Sequence, residues 1–148
     1  MKLSAVATGT SFTWKGTKFH KVTLSNLKVP PRVHLFVFKL TPKSKQHLHD
    51  AFYFSPPEAR RWKFPKSAVP GIFLKLDGWS NQKQWLGVIL HEIGHHLFWI
   101  QHRSKSDDEE AIVDNLGAKW YLKVTEKQVS VRNKRGNRMA KGSLTLCG

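Results

Sequence analysis

The chain has 148 residues, 40% of them hydrophobic and six of them tryptophan, enough apolar material for one globular domain with a real core. Its formal net charge is +15, from 25 Lys and Arg against 10 Asp and Glu, which makes an acidic protein, an acidic surface or nucleic acid a plausible partner without implying any chemistry. The one cysteine, Cys147, excludes an internal disulfide framework, and no apolar run reaches transmembrane length.

In chain order, residues 1–17 are small, polar and rich in Gly, Thr and Ser, and read as an arm or a first edge strand. Leu3–Ala7 is too short for the apolar region of a signal peptide, so a reducing, cytoplasmic setting is expected. Lys18–Leu24 alternates weakly. Pro30 and Pro31 break the chain, because proline disfavours helix on both sides. Arg32–Leu40 is the strongest strand, dominated by aromatic and β-branched residues, and Phe52–Phe54 is a second. Pro56–Pro70 reads as a proline-rich loop carrying Arg60, Arg61, Trp62 and Lys63, followed by a strand over Gly71–Leu76. Ser80 is the expected N-cap of the helix that follows.

That helix carries the chemistry. It contains His91-Glu92-Ile93-Gly94-His95, an H-E-x-x-H motif. Residues four apart on a helix share a face, so both imidazoles can point at one metal ion, and Glu92 projects beside them as a base for a metal-bound water. Zn²⁺ suits neutral imidazole ligands and a hydrolytic site. Leu86, Ile89, Leu90, Ile93, Leu97 and Ile100 form an apolar stripe away from the histidines. Gly94 costs roughly 1 kcal/mol of helix propensity against alanine, which fits a close approach by another backbone or a substrate.

A catalytic zinc site uses three protein ligands. The candidates downstream are His102, Asp107, Asp108, Glu109, Glu110 and Asp114. Ser106-Asp107-Asp108-Glu109 has the form of a capping box opening a second helix that runs to about Lys123. On it, Glu110 and Asp114 share a face that Gly117, Ala118 and Tyr121 continue. Glu110 is therefore the expected third ligand, reaching the metal from an antiparallel helix, with Asp114 accepting the free N–H of His91. Glu109 is the runner-up ligand. Tyr121, Tyr53 and His96 are candidate oxyanion stabilisers. Beyond the helix, Gln128–Val131 has the composition of a short strand within a basic tail, residues 124–148, which is a candidate nucleic-acid contact. Cys147, a potential thiolate ligand at the end of that tail, is a candidate cap for the metal.

The H-E-x-x-H motif with Glu110-Ala111-Ile112-Val113-Asp114 resembles the gluzincin metallopeptidases, and the short spacing and small chain resemble the minigluzincins. The metzincin pattern is absent, since it needs a glycine at position 98 and a histidine at 101 where this chain has Phe98 and Gln101. The resemblance covers roughly residues 71–121. It implies a zinc-dependent endopeptidase acting on a peptide or protein, and a strand before the metal helix forming the upper rim of the cleft, for which Ile72, Phe73, Leu74, Lys75 and Leu76 are placed. The expected architecture is a single α+β domain over residues 1–148: a small mixed sheet of about three to five strands packed on the H-E-x-x-H helix and an antiparallel glutamate helix. The alternative is a non-catalytic zinc protein that uses the basic tail to bind a protein or nucleic acid.

Overall fold

A computed structural model describes residues 3–42, 44–46, 48–103 and 107–134, and the side chains of these up to Thr125 apart from Gln46. It is α+β. Five strands, β1 (Ala5–Trp14), β2 (Thr17–Leu24), β3 (His34–Phe38), β4 (Ala51–Phe54) and β5 (Gly71–Lys75), form one mixed sheet in the order β1-β2-β3-β5-β4. Among the described residues three α-helices accompany it: α1 (Pro56–Trp62), α2 (Gln82–His102) and α3 (Glu109–Lys134). β3 and β5 run parallel, and every other pair is antiparallel.

The alternation of side chains along each strand builds a different core on each face. One face carries Val22, Leu35, Val37, Ile72 and Leu74, which pack against Leu86, Ile89, Leu90 and Ile93 of α2 and Tyr121 of α3. The other carries Phe19, Phe36, Phe38 and Phe73, covered by Ala59, Phe64 and Ala68 from α1 and the turn after it. Phe36 and Phe52 both stack on Phe73, with centroids 5.3 and 4.8 Å away. β5 is thus buried on both faces and paired along both edges, which explains its unbroken apolar run.

Of the two readings of the N-terminal stretch, the edge strand holds: residues 5–14 pair with β2 through a two-residue turn in which Lys15 and Gly16 both have positive φ, the tight hairpin geometry. Several other expectations are revised. Residues 56–62 form a helix. Ser55 opens it, Pro56 and Pro57 occupy its first turn where no N–H is needed, and the Glu58 carboxylate accepts from the Ser55 N–H (3.1 Å) and hydroxyl (3.2 Å). The N-cap of α2 is Asn81, whose side chain accepts from the Gln84 N–H at 2.8 Å, whereas the Ser80 N–H donates to the Gln84 side chain. On α2, Phe98 is buried and Ile100 is exposed, because the stripe drifts around the helix over three turns. α3 continues past Lys123 to Lys134, so Gln128–Val131 is helical rather than a strand. Ser106, Cys147 and the tail from residue 135 lie outside the described residues. Among the described residues no helix is long and apolar enough to cross a membrane.

The pairing of α2 with α3 sets up the site. A Cβ on Gly94 would lie 2.0 Å from the Val113 carbonyl oxygen, and one on Gly117 would lie 2.1 Å from that of Leu90. The two glycines face opposite helices, and the contacts run 94 to 113 and 90 to 117, so the helices are antiparallel and in backbone contact. The Trp120 indole anchors α3 by donating to the Lys28 carbonyl at 2.8 Å.

Candidate metal centre

His91 and His95 lie one turn apart on α2 and present their Nε2 atoms to each other at 3.2 Å. Glu110, at the start of α3, closes on both: its Oε1 is 3.1 Å from His95 Nε2 and its Oε2 is 3.3 Å from His91 Nε2. The other imidazole nitrogens are also engaged. His91 Nδ1 bonds Asp114 Oδ1 at 2.8 Å, and His95 Nδ1 bonds the Glu109 carboxylate. An ionised carboxylate only accepts, so each Nδ1 carries a proton, and each ring in its neutral form turns the lone pair of its Nε2 inward. Two nitrogen lone pairs and two carboxylate oxygens then converge on one point. That arrangement is repulsive unless protons or a cation occupy it. Ligand atoms of His91, Glu92 and His95 all lie within 4.8 Å of one another, and the group could hold a metal ion.

The electrostatics agree. Burial pulls the His91 imidazole down, but the Asp114 hydrogen bond and the charges of Glu92, Asp114 and Glu110 outweigh it, and its pKa is raised. Glu92 is only 5% exposed, and its Oε2 has no hydrogen-bond partner among the described residues. Burial pushes its carboxyl up to about 7, against the pull of His95 and His91 and with Glu110 and Glu58 adding to the rise. A carboxyl in that range exchanges its proton near neutrality.

The centre opens into a cleft of ≈ 530 Å³ between β4 and the two helices. β4 lines it from Ala51 to Phe54, α2 contributes His91, Glu92, His95 and Trp99, and α3 contributes Glu109 and Glu110. A second hollow shares His49, Ala51, His91 and Glu92 and adds Leu40, Trp79 and Val88, so the groove runs along β4 on both sides of the centre.

Of the residues singled out in the sequence, His91, Glu92, His95, Glu110 and Asp114 are brought together in one place. Glu109 is also present, with its carboxylate on Nδ1 of His95. The register explains this: in an antiparallel pair, the one-turn step from His91 to His95 is matched by the step back from Asp114 to Glu110, and Glu109 is the next residue at the helix start. Tyr121 is not at the site. It is 6% exposed, within the core between α2, α3 and the sheet. Ile72–Leu76 is not a rim either, because Ile72, Phe73 and Leu74 have β3 on one side and β4 on the other, the Lys75 N–H donates to the Asp50 carbonyl just before β4, and Leu76 follows the strand. The rim is β4, the end strand of the sheet. Of the three oxyanion candidates, Tyr53 is the one that lines the cleft. Its hydroxyl lies 2.9 Å from Nδ1 of the buried His96. Burial raises the Tyr53 phenol above its ordinary value, and Glu58 and Glu109 reinforce this, so it stays protonated. Burial lowers His96 to about 4, against the Pro31 carbonyl and with Arg103 assisting, so it stays neutral.

Searches with family models, against curated proteins and against solved structures find no match to this chain.

Proposed function

We propose that this protein is a small zinc-dependent endopeptidase of gluzincin type, with His91, His95 and Glu110 as ligands and Glu92 as general base. The observation that carries the reading is the convergence of the two Nε2 atoms with the Glu110 carboxylate. Nitrogens sharing a tetrahedral zinc at ~2.05 Å lie roughly 3.3 Å apart, and these lie 3.2 Å apart. Asp114 and Glu109 fix the tautomer and aim of each ring, the usual service of carboxylates around a metal. Bound zinc would supply an acidified water and a polarised substrate carbonyl.

The protein's own groups do the rest. Glu92 takes a proton from the attacking water and delivers it to the leaving nitrogen, and its pKa near 7 suits both transfers. A structural zinc site has no need of a buried, unpartnered carboxyl beside the ligands. An extended peptide pairs with the outer edge of β4 by strand addition, which lays its scissile bond over the centre. Tyr53 lines the cleft beside the centre, and its hydroxyl, on turning away from His96 Nδ1, is the best-placed donor to the developing oxyanion. With Cys147 as its lone cysteine, the enzyme suits a reducing compartment, and we read it as cytoplasmic.

The test is to load the purified chain with one equivalent of zinc, digest a mixture of unstructured peptides and read new termini by mass spectrometry. Zinc-dependent cleavage abolished by chelation supports the proposal. Stoichiometric zinc binding without any cleavage, with unfolding on chelation, favours a structural zinc protein instead.

A further inference from the structure

The charge of this chain is unevenly distributed. Four of its ten carboxylates, Glu58, Glu92, Glu109 and Glu110, line the cleft, whereas residues 1–49 contain no Asp or Glu and nine Lys and Arg. Away from the cleft, the β1–β2 turn meets the C-terminal end of α1: the Trp14 indole N–H donates to the Trp62 carbonyl at 3.3 Å, and the Trp14 ring packs edge-on against Phe64 at 5.1 Å. The surface so formed combines aromatic rings with cations. Lys15 Nζ lies 4.8 Å from the Trp14 ring centroid, and the Arg61 guanidinium lies 5.4 Å from that of Trp62. Trp62 is 45% exposed, an unusual place for so large an apolar side chain. Arg60, Arg61, Lys63 and Lys15 are all exposed, and among the described residues no carboxylate forms an ion pair with any of them.

We propose that this surface binds single-stranded nucleic acid, at a site separate from the metal centre. Clustered exposed cations can follow a phosphate backbone, and a half-exposed indole offers a stacking platform for an unpaired base. An acidic peptide would satisfy the charges but leave the Trp62 face bare. A duplex keeps its bases stacked on one another and out of the ring's reach. The acidic lining of the cleft repels phosphate, which keeps the strand away from the metal centre.

Fluorescence anisotropy of a labelled oligothymidine of about a dozen nucleotides, titrated with the full chain over a range of salt, tests the proposal. The wild type is expected to bind with an affinity that falls as salt rises. Trp62→Ala should weaken the single strand roughly tenfold and leave a duplex almost unchanged. Arg60→Glu with Arg61→Glu should weaken both and flatten the salt dependence by about 0.7 for each phosphate no longer neutralised. Circular dichroism melts verify that these exposed substitutions keep the fold. The proposal is overturned by absence of binding in the wild type. It is also overturned if patch variants bind like the wild type while Arg135→Gln with Arg138→Gln abolishes binding, or if polyglutamate of equal charge displaces the oligonucleotide as well as its unlabelled copy does.

Discussion

The tightest structural requirement for the proposed metal centre is a missing side chain, that of Gly94. A Cβ there would sit 2.0 Å from the Val113 carbonyl oxygen, whereas such contacts are essentially never seen under 3.0 Å. Gly94→Ala therefore forces α2 and α3 apart by at least the difference, 3.0 − 2.0 = 1.0 Å. α3 carries Glu110, whose oxygens stand 3.1 and 3.3 Å from the two Nε2 atoms, so a shift of that size breaks a ligand set that tolerates only about 0.2 Å. Two terms oppose each other in stability. Alanine gains about 1 kcal/mol of helix propensity, and the overpacking costs about 1–3 kcal/mol. The expected outcome is a Tm unchanged or several degrees lower, with zinc affinity down at least tenfold in competition with a chromophoric chelator. Gly87→Ala is the internal control. It lies on the same helix with nothing within 4 Å of its added Cβ, so it should raise the Tm by about 2–4 °C and leave zinc affinity alone. Should Gly94→Ala behave like Gly87→Ala in both assays, the backbone contact does not set the centre and the reasoning fails.

Other outcomes follow from the same geometry. Glu110→Ala should lower zinc affinity more than Glu109→Ala or Asp114→Asn, each of which should cost about 10–100-fold through the ring it holds; calorimetric titration gives the ranking, and a larger loss for Glu109→Ala would exchange the two roles. Tyr53→Phe should fold and bind zinc normally but lower kcat by about 10²–10³-fold with little change in KM; unchanged kcat removes Tyr53 from the reaction. Burial and the charge of Lys21 hold the His34 imidazole below its ordinary value. The unfolded chain then binds this proton more readily, so the His34 contribution is intact above about pH 6.5 and is lost as pH falls below it. His34→Gln should accordingly lose less stability than the wild type between about pH 7.5 and pH 5 in urea melts; parallel losses would show that His34 titrates alike in both states.

The helical half of this protein was legible because its signals are local. Four-residue spacing fixes which side chains share a face, and the small residues Gly94 and Gly117 signal a close approach, which the structure realises between α2 and α3. That is why the sequence alone could bring His91, His95, Glu110 and Asp114 together. Helix α1 was hidden by its prolines, although Ser55 and Glu58 form the capping box that makes them compatible with a helix start. The substrate rim was not legible. Ile72–Leu76 and Phe52–Phe54 are both apolar strands, and which of them ends the sheet depends on pairing order, a non-local property. The position of Tyr121 was misjudged because helical periodicity gives a face but not what that face meets, and here it meets the core.

The central claim is that Glu92 acts as a base rather than as a ligand or a structural group. Glu92→Gln keeps the shape and removes the proton acceptor. With zinc content and melting behaviour matched between the two proteins, the account predicts that the variant retains stoichiometric zinc and cleaves the peptide mixture at least 10³-fold more slowly than the wild type, within the range attributed to general acid–base catalysis. Equal cleavage rates, or loss of zinc from the variant, would contradict it.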